Sequence, residues 1–245
     1  MAAISWQVAT VTAIRPETAN VKTYRFAVPG WPGHKPGQHL DLRLTAQDGY
    51  QAQRSYSIAS AVMPDGSVEL TVERVPEGEV SPFMHDEVVV GDRMELRGPI
   101  GGYFVWDGSM ADPLLLIAGG SGMVPLMAML RHRATIGFTA TTTLVYSSRT
   151  LDDVIYRDEI DRLAARNDGL RVVETLTRSQ PPGWTGLSRR IDREMLASVL
   201  DGQTAQPQAF ICGPTPLVEA AAENLVALGM SPARVRTERF GPSGA

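Results

Sequence analysis

Over the first hundred or so residues, apolar and polar positions alternate in short runs. WQVATVTAI, VKTYRFAV, HLDLRL, RSYSIAS, SVELTVERV and RMELRG read as six short strands. Turn signals separate them: PGWPG, PGQ, QDG, MPDG and VGD. Short strands at regular spacing predict a small antiparallel β-barrel. One segment breaks the rhythm. In GEVSPFMHDEV, Ser81 followed by Pro82 suits an N-cap and first-turn pair, which predicts a short helix starting near Gly78 to Ser81.

After DGSMADP the period changes. LLLIAGG is a continuous apolar strand, and VPLMAMLRHRA has helical spacing with Pro125 in its first turn. Strand TTTLVYSSR, helix DEIDRLAARN, strand LRVVETLT, helix REMLASVL, strand QAFICG, helix TPLVEAAAENLVAL and strand VRTERF follow. Nearly all-apolar strands alternating with helices predict a parallel, doubly wound α/β sheet. The expected architecture is therefore two domains: an antiparallel barrel over residues 1–108 and a Rossmann-like α/β domain over 109–245. No internal repeat or low-complexity tract is evident.

Composition adds mostly exclusions. The chain has 245 residues, 43% hydrophobic and 20% charged, which is ordinary globular composition. A net charge of −4 gives no reason to expect nucleic acid or an anionic membrane as partner. The apolar run around Pro113–Ala118 is too short to span a bilayer. The first twenty residues lack a charged segment followed by an apolar core, so the expectation is a cytoplasmic protein without a signal peptide. Cys212 is the only cysteine, which rules out an internal disulfide, a four-cysteine iron–sulfur cluster and a cysteine-rich zinc site. His34, His39, His85 and His132 show no ligand spacing, and GGSGM breaks the nucleophile-elbow pattern at Met123. No metal site is expected.

Three stretches carry candidate chemistry. In RSYS, strand alternation puts Arg54 and Tyr56 on one face and Ser55 and Ser57 on the other. Tyr56 there is either a β-former on a half-buried surface or part of a site. Gly119, Gly120 and Gly122 lie where the first parallel strand meets its helix, where backbone amides can approach a phosphate. ICGPTP at 211–216 repeats that strand–glycine–helix layout, and ligands of such sheets sit at the carboxyl ends of strands. Gly119–Gly122 and Cys212–Pro214 can line one crevice, although a lone cysteine there can equally be a small core residue.

In this order the motifs resemble the ferredoxin–NADP reductase superfamily over nearly the whole chain. They are PGQ at 36–38, RSYS at 54–57, G-x-x-S at 78–81, GPIGGYF at 98–104, GGSGMVP at 119–125, CGP at 212–214 and ERF at 238–240. The resemblance implies that the barrel binds FAD and the second domain a nicotinamide dinucleotide. Arg54 then matches the arginine on the flavin pyrophosphate, Tyr56 the ring stacked on the isoalloxazine, and Ser57 the serine near its N5. Ser55, Arg74, Gly78, Val80 and Ser81 fall in the segments that hold the flavin, the last three supplying amides and a hydroxyl to its phosphates. Gly119, Gly120, Ser121 and Gly122 match the dinucleotide loop, with Gly213 and Pro214 opposite. Cys212 matches the cysteine beside the nicotinamide, Glu238 a carboxylate near the reaction centre, and Phe240 the aromatic covering the flavin. Ser57, Cys212 and Glu238 are thereby the candidate catalytic residues. The loop departs from the usual GGTGITP at Ser121, Met123 and Val124, and the chain continues five residues beyond Phe240.

Hydride transfer needs the nicotinamide and flavin held in contact, about 3–3.5 Å apart, rather than a strong acid or nucleophile. The lack of a triad is consistent with that. Arg149, Arg178 and Arg190 match positions where NADP-preferring members carry arginines for the 2′-phosphate, so NADPH is expected over NADH, with NADH possible. Solvated surface arginines are the plain alternative. The leading expectation is an FAD-dependent NAD(P)H oxidoreductase that serves a separate ferredoxin or flavodoxin-like carrier. A reductase of free flavin and a non-catalytic electron-transfer subunit are the alternatives. The oligomeric state is not legible.

Overall fold

The structure, a computed structural model, describes residues 4–203 and 205–240. It divides into two compact units, one of residues 1–107 with 127–132 and one of residues 108–126 with 133–245.

In the first unit, strands β1 (Trp6–Thr18), β2 (Val21–Ala27), β3 (His39–Thr45), β4 (Gln51–Ser57), β5 (Ser67–Glu73) and β6 (Arg93–Ile100) form one sheet in the order β4-β3-β6-β1-β2-β5. All its strand pairs are antiparallel. The two outer strands meet through an Ile58–Leu70 bridge, with the Ala59 N–H donating to the Glu69 carbonyl at 2.8 Å. That junction closes the sheet into a barrel and leaves β4 and β5 without a fully open edge. Alternation sends Tyr24, Phe26, Leu40, Leu42, Leu70 and Leu96 inward to full burial. Each such side chain stabilises the fold by ~1.5–3 kcal/mol relative to exposure.

The short helix lies between β5 and β6 as α1 (Val80–Asp86), so Ser81 and Pro82 are inside its first turn rather than at cap and first position. The reason is local. Ser81 Oγ accepts the Val75 N–H at 3.0 Å, a bond back to the preceding turn that leaves Glu79 at the cap position. Pro82 remains in the first turn, where a missing N–H costs nothing.

In the second unit, strands β7 (Leu114–Gly119), β8 (Thr142–Ser148), β9 (Leu170–Leu176), β10 (Gln208–Pro214) and β11 (Val235–Phe240) form a parallel sheet in the order β11-β10-β7-β8-β9. Helices α2 (Met123–Ile136), α3 (Arg157–Ala164), α4 (Arg193–Leu200) and α5 (Thr215–Ala227) connect its strands. Gly137 ends α2 in the left-handed conformation that favours glycine, at φ 64°. Asp192 caps α4, its side chain accepting the Met195 N–H at 2.8 Å. Arg190 lies in the loop before that cap. Chain order reverses between β7 and β10, which makes the gap at their carboxyl ends the switch point of the sheet. Among the described residues, no helix is long and apolar enough to cross a membrane, and no cluster of ligating side chains could hold a metal ion.

Candidate functional site

The first unit positions its candidate residues through register. Tyr56 pairs with Leu40 and Arg54 with Leu42, so both share the face of those two core leucines. Tyr56 packs partly against the core, and burial pushes its phenol up to about 12, opposed only in part by Arg54. Arg54 stands at the exposed end of that face. One guanidinium nitrogen donates to the Gln53 carbonyl at 2.7 Å, and another lies 3.4 Å from Glu79.

Ser55 points the other way. Its hydroxyl donates to Asp41 Oδ1 at 2.6 Å, and Arg97 donates to Oδ2 of the same carboxylate at 2.6 Å. Burial alone would raise the Asp41 carboxyl, but those hydrogen bonds outweigh it and hold it below the usual carboxylate range. Ser55 is thus committed to a strand-to-strand network, and only its backbone is left for a ligand on the Tyr56 face. Ser57 is buried at the end of β4.

Around α1 the chain turns tightly. The Gly78 N–H donates to the Val75 carbonyl, and a Cβ on Gly78 would come within 3.2 Å of Ser81 Oγ. Val80 is fully buried in the barrel core, so its side chain is also spoken for. Arg74 is paired with Asp86 at 2.9 Å. The PGQ and GGYF motifs meet in space: Gly37 has φ +92°, and a Cβ there would lie 1.8 Å from the Phe104 carbonyl oxygen. Only glycine permits that approach.

In the second unit, the glycines of β7 and β10 pack backbone to backbone. A Cβ on Gly122 would sit 2.1 Å from the Cys212 carbonyl oxygen, and one on Gly213 would come within 3.1 Å of the Gly119 backbone. Gly120 has φ +53°, outside the usual range of L side chains. Gly119, Gly120, Ser121, Gly122, Gly213 and Pro214 therefore form one small-residue lining at the switch point, leading into α2. A dinucleotide's phosphates suit such a small-residue lining at the entry to a helix.

Cys212 and Glu238 are register partners on β10 and β11, with the sulfur 4.0 Å from Glu238 Oε2. Burial, and then the neighbouring carboxylate, push the Cys212 thiol well above its ordinary value. Burial pushes the Glu238 carboxyl up to about 7. Phe240 ends β11, half-buried and paired with Pro214, and the residues after it lie outside the described ones.

Arg149 and Arg178 are neighbours, since the Arg178 N–H donates to the Arg149 carbonyl at 2.8 Å. The segment carrying Arg190 runs along the end of β9, where Leu187 bridges Thr175 and the Arg189 carbonyl accepts from the Thr175 hydroxyl. Arg189 itself is held by Asp192 and Glu194. Among the described residues, the guanidinium groups of Arg149, Arg178 and Arg190 have no carboxylate or hydrogen-bond acceptor.

Reading the sequence alone missed three contributors. The Tyr146 hydroxyl ties the Gly120 carbonyl, at 3.3 Å, to the Ile155 N–H, at 3.1 Å. Ser148 Oγ is buried at the end of β8 without a hydrogen-bond partner among the described residues. Glu79 engages Arg54. The YSS run at the end of the strand was the available signal, for Tyr146 and Ser148.

Residues 8–105 match the family described as an oxidoreductase FAD-binding domain, and residues 116–223 the oxidoreductase NAD-binding domain. The propane 2-monooxygenase reductase component of Rhodococcus jostii is 32% identical over 94% of this chain, which spans 62% of that protein. NADH-cytochrome b5 reductase 1 of Emericella nidulans is 33% identical over 88% of this chain and 72% of its own length. The crystal structure of an Amycolatopsis cytochrome P450 reductase superposes with a TM-score of 0.84 at 26% identity, covering 98% of this chain and 71% of that one. Both halves match in order along one chain, as the motifs do, and the chain belongs to the ferredoxin–NADP reductase superfamily.

Proposed function

We propose that the protein is an FAD-dependent NAD(P)H oxidoreductase that hands electrons to a separate redox protein. The observation that carries this reading is the glycine-lined switch point, where Gly122 abuts the Cys212 carbonyl and Cys212 pairs with Glu238. A flavin, when bound, accepts a hydride from reduced nicotinamide and releases the electrons singly.

Residues 1–108 serve the flavin in this reading. Arg54 takes the pyrophosphate through its planar fork, and Tyr56 lies along the isoalloxazine with Ser57 near its N5. Gly78, Val80 and Ser81 contribute amides and the Ser81 hydroxyl, and Ser55 contributes backbone. Arg74 reaches phosphate only by leaving Asp86. Phe240 covers the ring face. Residues 109–245 serve the nicotinamide dinucleotide. Gly119, Gly120, Ser121 and Gly122 cradle its phosphates opposite Gly213 and Pro214, and Ser148 Oγ offers an unused polar atom nearby. Cys212 presents a neutral thiol to the nicotinamide, because its raised pKa keeps the sulfur protonated. Glu238 holds a proton on its carboxyl up to about pH 7.

NADPH is the preferred nucleotide on this reading, since Arg149, Arg178 and Arg190 carry charge that nothing described neutralises. The likeness to a protein named an NADH-cytochrome b5 reductase supports NADH instead. Relatives named as reductase components support a separate protein acceptor, of ferredoxin or flavodoxin type. The test is an acceptor panel with the FAD-loaded chain. NADPH-driven reduction of a one-electron protein carrier, with about one flavin retained per chain, is expected. Turnover seen only with added free flavin, which must leave after each cycle, would favour a flavin reductase.

A further inference from the structure

Arg54 is not a bare cation. Glu79 Oε2 lies 3.4 Å from its Nη2, and Tyr50 OH donates to Glu79 Oε1 at 2.7 Å. The carboxylate is thus held from two sides, by a guanidinium and by a phenol. That hydrogen bond, reinforced by the charge of Glu79, raises the Tyr50 phenol above its ordinary range. Glu79 also follows Gly78 directly and precedes the first residue of α1. It therefore sits inside the G-x-x-S segment itself. Side-chain exposures of 48% for Arg54 and 52% for Glu79 leave the pair open to a ligand.

We propose that Glu79 is a counter-anion that competes with flavin phosphate for Arg54 and so lowers the affinity of the barrel for phosphate-bearing flavins. The proposal rests on the reading that Arg54 binds the FAD pyrophosphate. A pyrophosphate must either displace Glu79 from the guanidinium or share the guanidinium with it. Both routes cost binding free energy, the first through the lost ion pair and the second through repulsion between like charges. Exposed pairs are weak, so the cost is modest and the site stays usable. Riboflavin has no phosphate and escapes both costs. Glutamine at position 79 keeps an acceptor for Tyr50 while removing the charge.

The test titrates FAD and riboflavin against the full chain freed of flavin, as wild type, Glu79→Gln and Arg54→Ala. Glu79→Gln is expected to tighten FAD about three- to tenfold, in keeping with an exposed ion pair, and to leave riboflavin unchanged. Arg54→Ala is expected to weaken FAD selectively. If Arg54→Ala does so but Glu79→Gln leaves FAD unchanged, weakens it, or tightens both flavins alike, the competition is overturned. If Arg54→Ala changes neither flavin, the pyrophosphate reading fails, and the proposal with it.

Discussion

In the barrel, the arginines near the flavin segments already face carboxylates: Arg54 faces Glu79 and Arg74 faces Asp86. In the parallel-sheet unit, Arg149, Arg178 and Arg190 face none among the described residues. Arg54 and Arg74 are thus paired at rest, whereas Arg149, Arg178 and Arg190 are not. On the proposed reading, a ligand phosphate must compete in one unit and only has to arrive in the other. The two sites should therefore respond differently to the same kind of substitution.

The largest expected effect is steric and confined to the second unit. Gly122→Ala places a Cβ where 2.1 Å separates it from the Cys212 carbonyl oxygen, a backbone atom that cannot move aside cheaply. Nucleotide efficiency should fall by more than about a hundredfold, equivalent to ~2.7 kcal/mol or more of lost transition-state binding. Flavin content, read from the visible spectrum, should stay at the wild-type level. Loss of flavin in that variant would mean that the two regions are not separable in this way.

Next comes charge. Removing one charge-assisted contact costs about 1.5–3 kcal/mol, or roughly tenfold to over a hundredfold. Arg178→Ala should lose that much with NADPH and little with NADH, since only NADPH carries the 2′-phosphate. Steady-state kinetics with both nucleotides decide it. Equal losses, or a wild type that already prefers NADH, would leave these arginines as ordinary surface charge.

A smaller effect concerns Glu238. Its carboxyl is raised by burial from 4.5 to about 7. Below pH 4.5 the group is protonated in both folded and unfolded chains and costs nothing. As pH rises from there to about 7, the unfolded chain releases the proton first, so the folded state loses stability, by ~1–3 kcal/mol in total. Urea midpoints at pH 5 and pH 8 should show that loss in the wild type and not in Glu238→Gln. Parallel profiles would mean that the carboxyl is solvated in the folded protein.

Much of the fold was legible because short alternating runs give way to apolar strands separated by helical runs. The described strands follow the segments read as strands in the sequence, although β4 runs Gln51–Ser57, three residues ahead of RSYSIAS at both ends. One local reading failed for a local reason. Ser81 followed by Pro82 obeys the cap rule, yet the serine hydroxyl bonds back to Val75 and the cap lies two residues earlier, at Glu79. The glycines of the cradle were legible as strand-to-helix turns, since close backbone approach demands glycine. Glu79 was not, because an exposed acid in a loop has no sequence signature. Its meaning comes from where β4 presents Arg54. Strand alternation turns the Ser55 hydroxyl to Asp41, away from the Tyr56 face.

The central claim is that one chain holds a flavin and reduces it with a nicotinamide nucleotide. The most direct measurement is the visible absorption spectrum of the purified protein, recorded without oxygen before and after one equivalent of NADPH. The account predicts a flavin spectrum of about one FAD per chain that bleaches on addition. A protein that takes up FAD yet keeps its full flavin absorbance with both NADPH and NADH would contradict it.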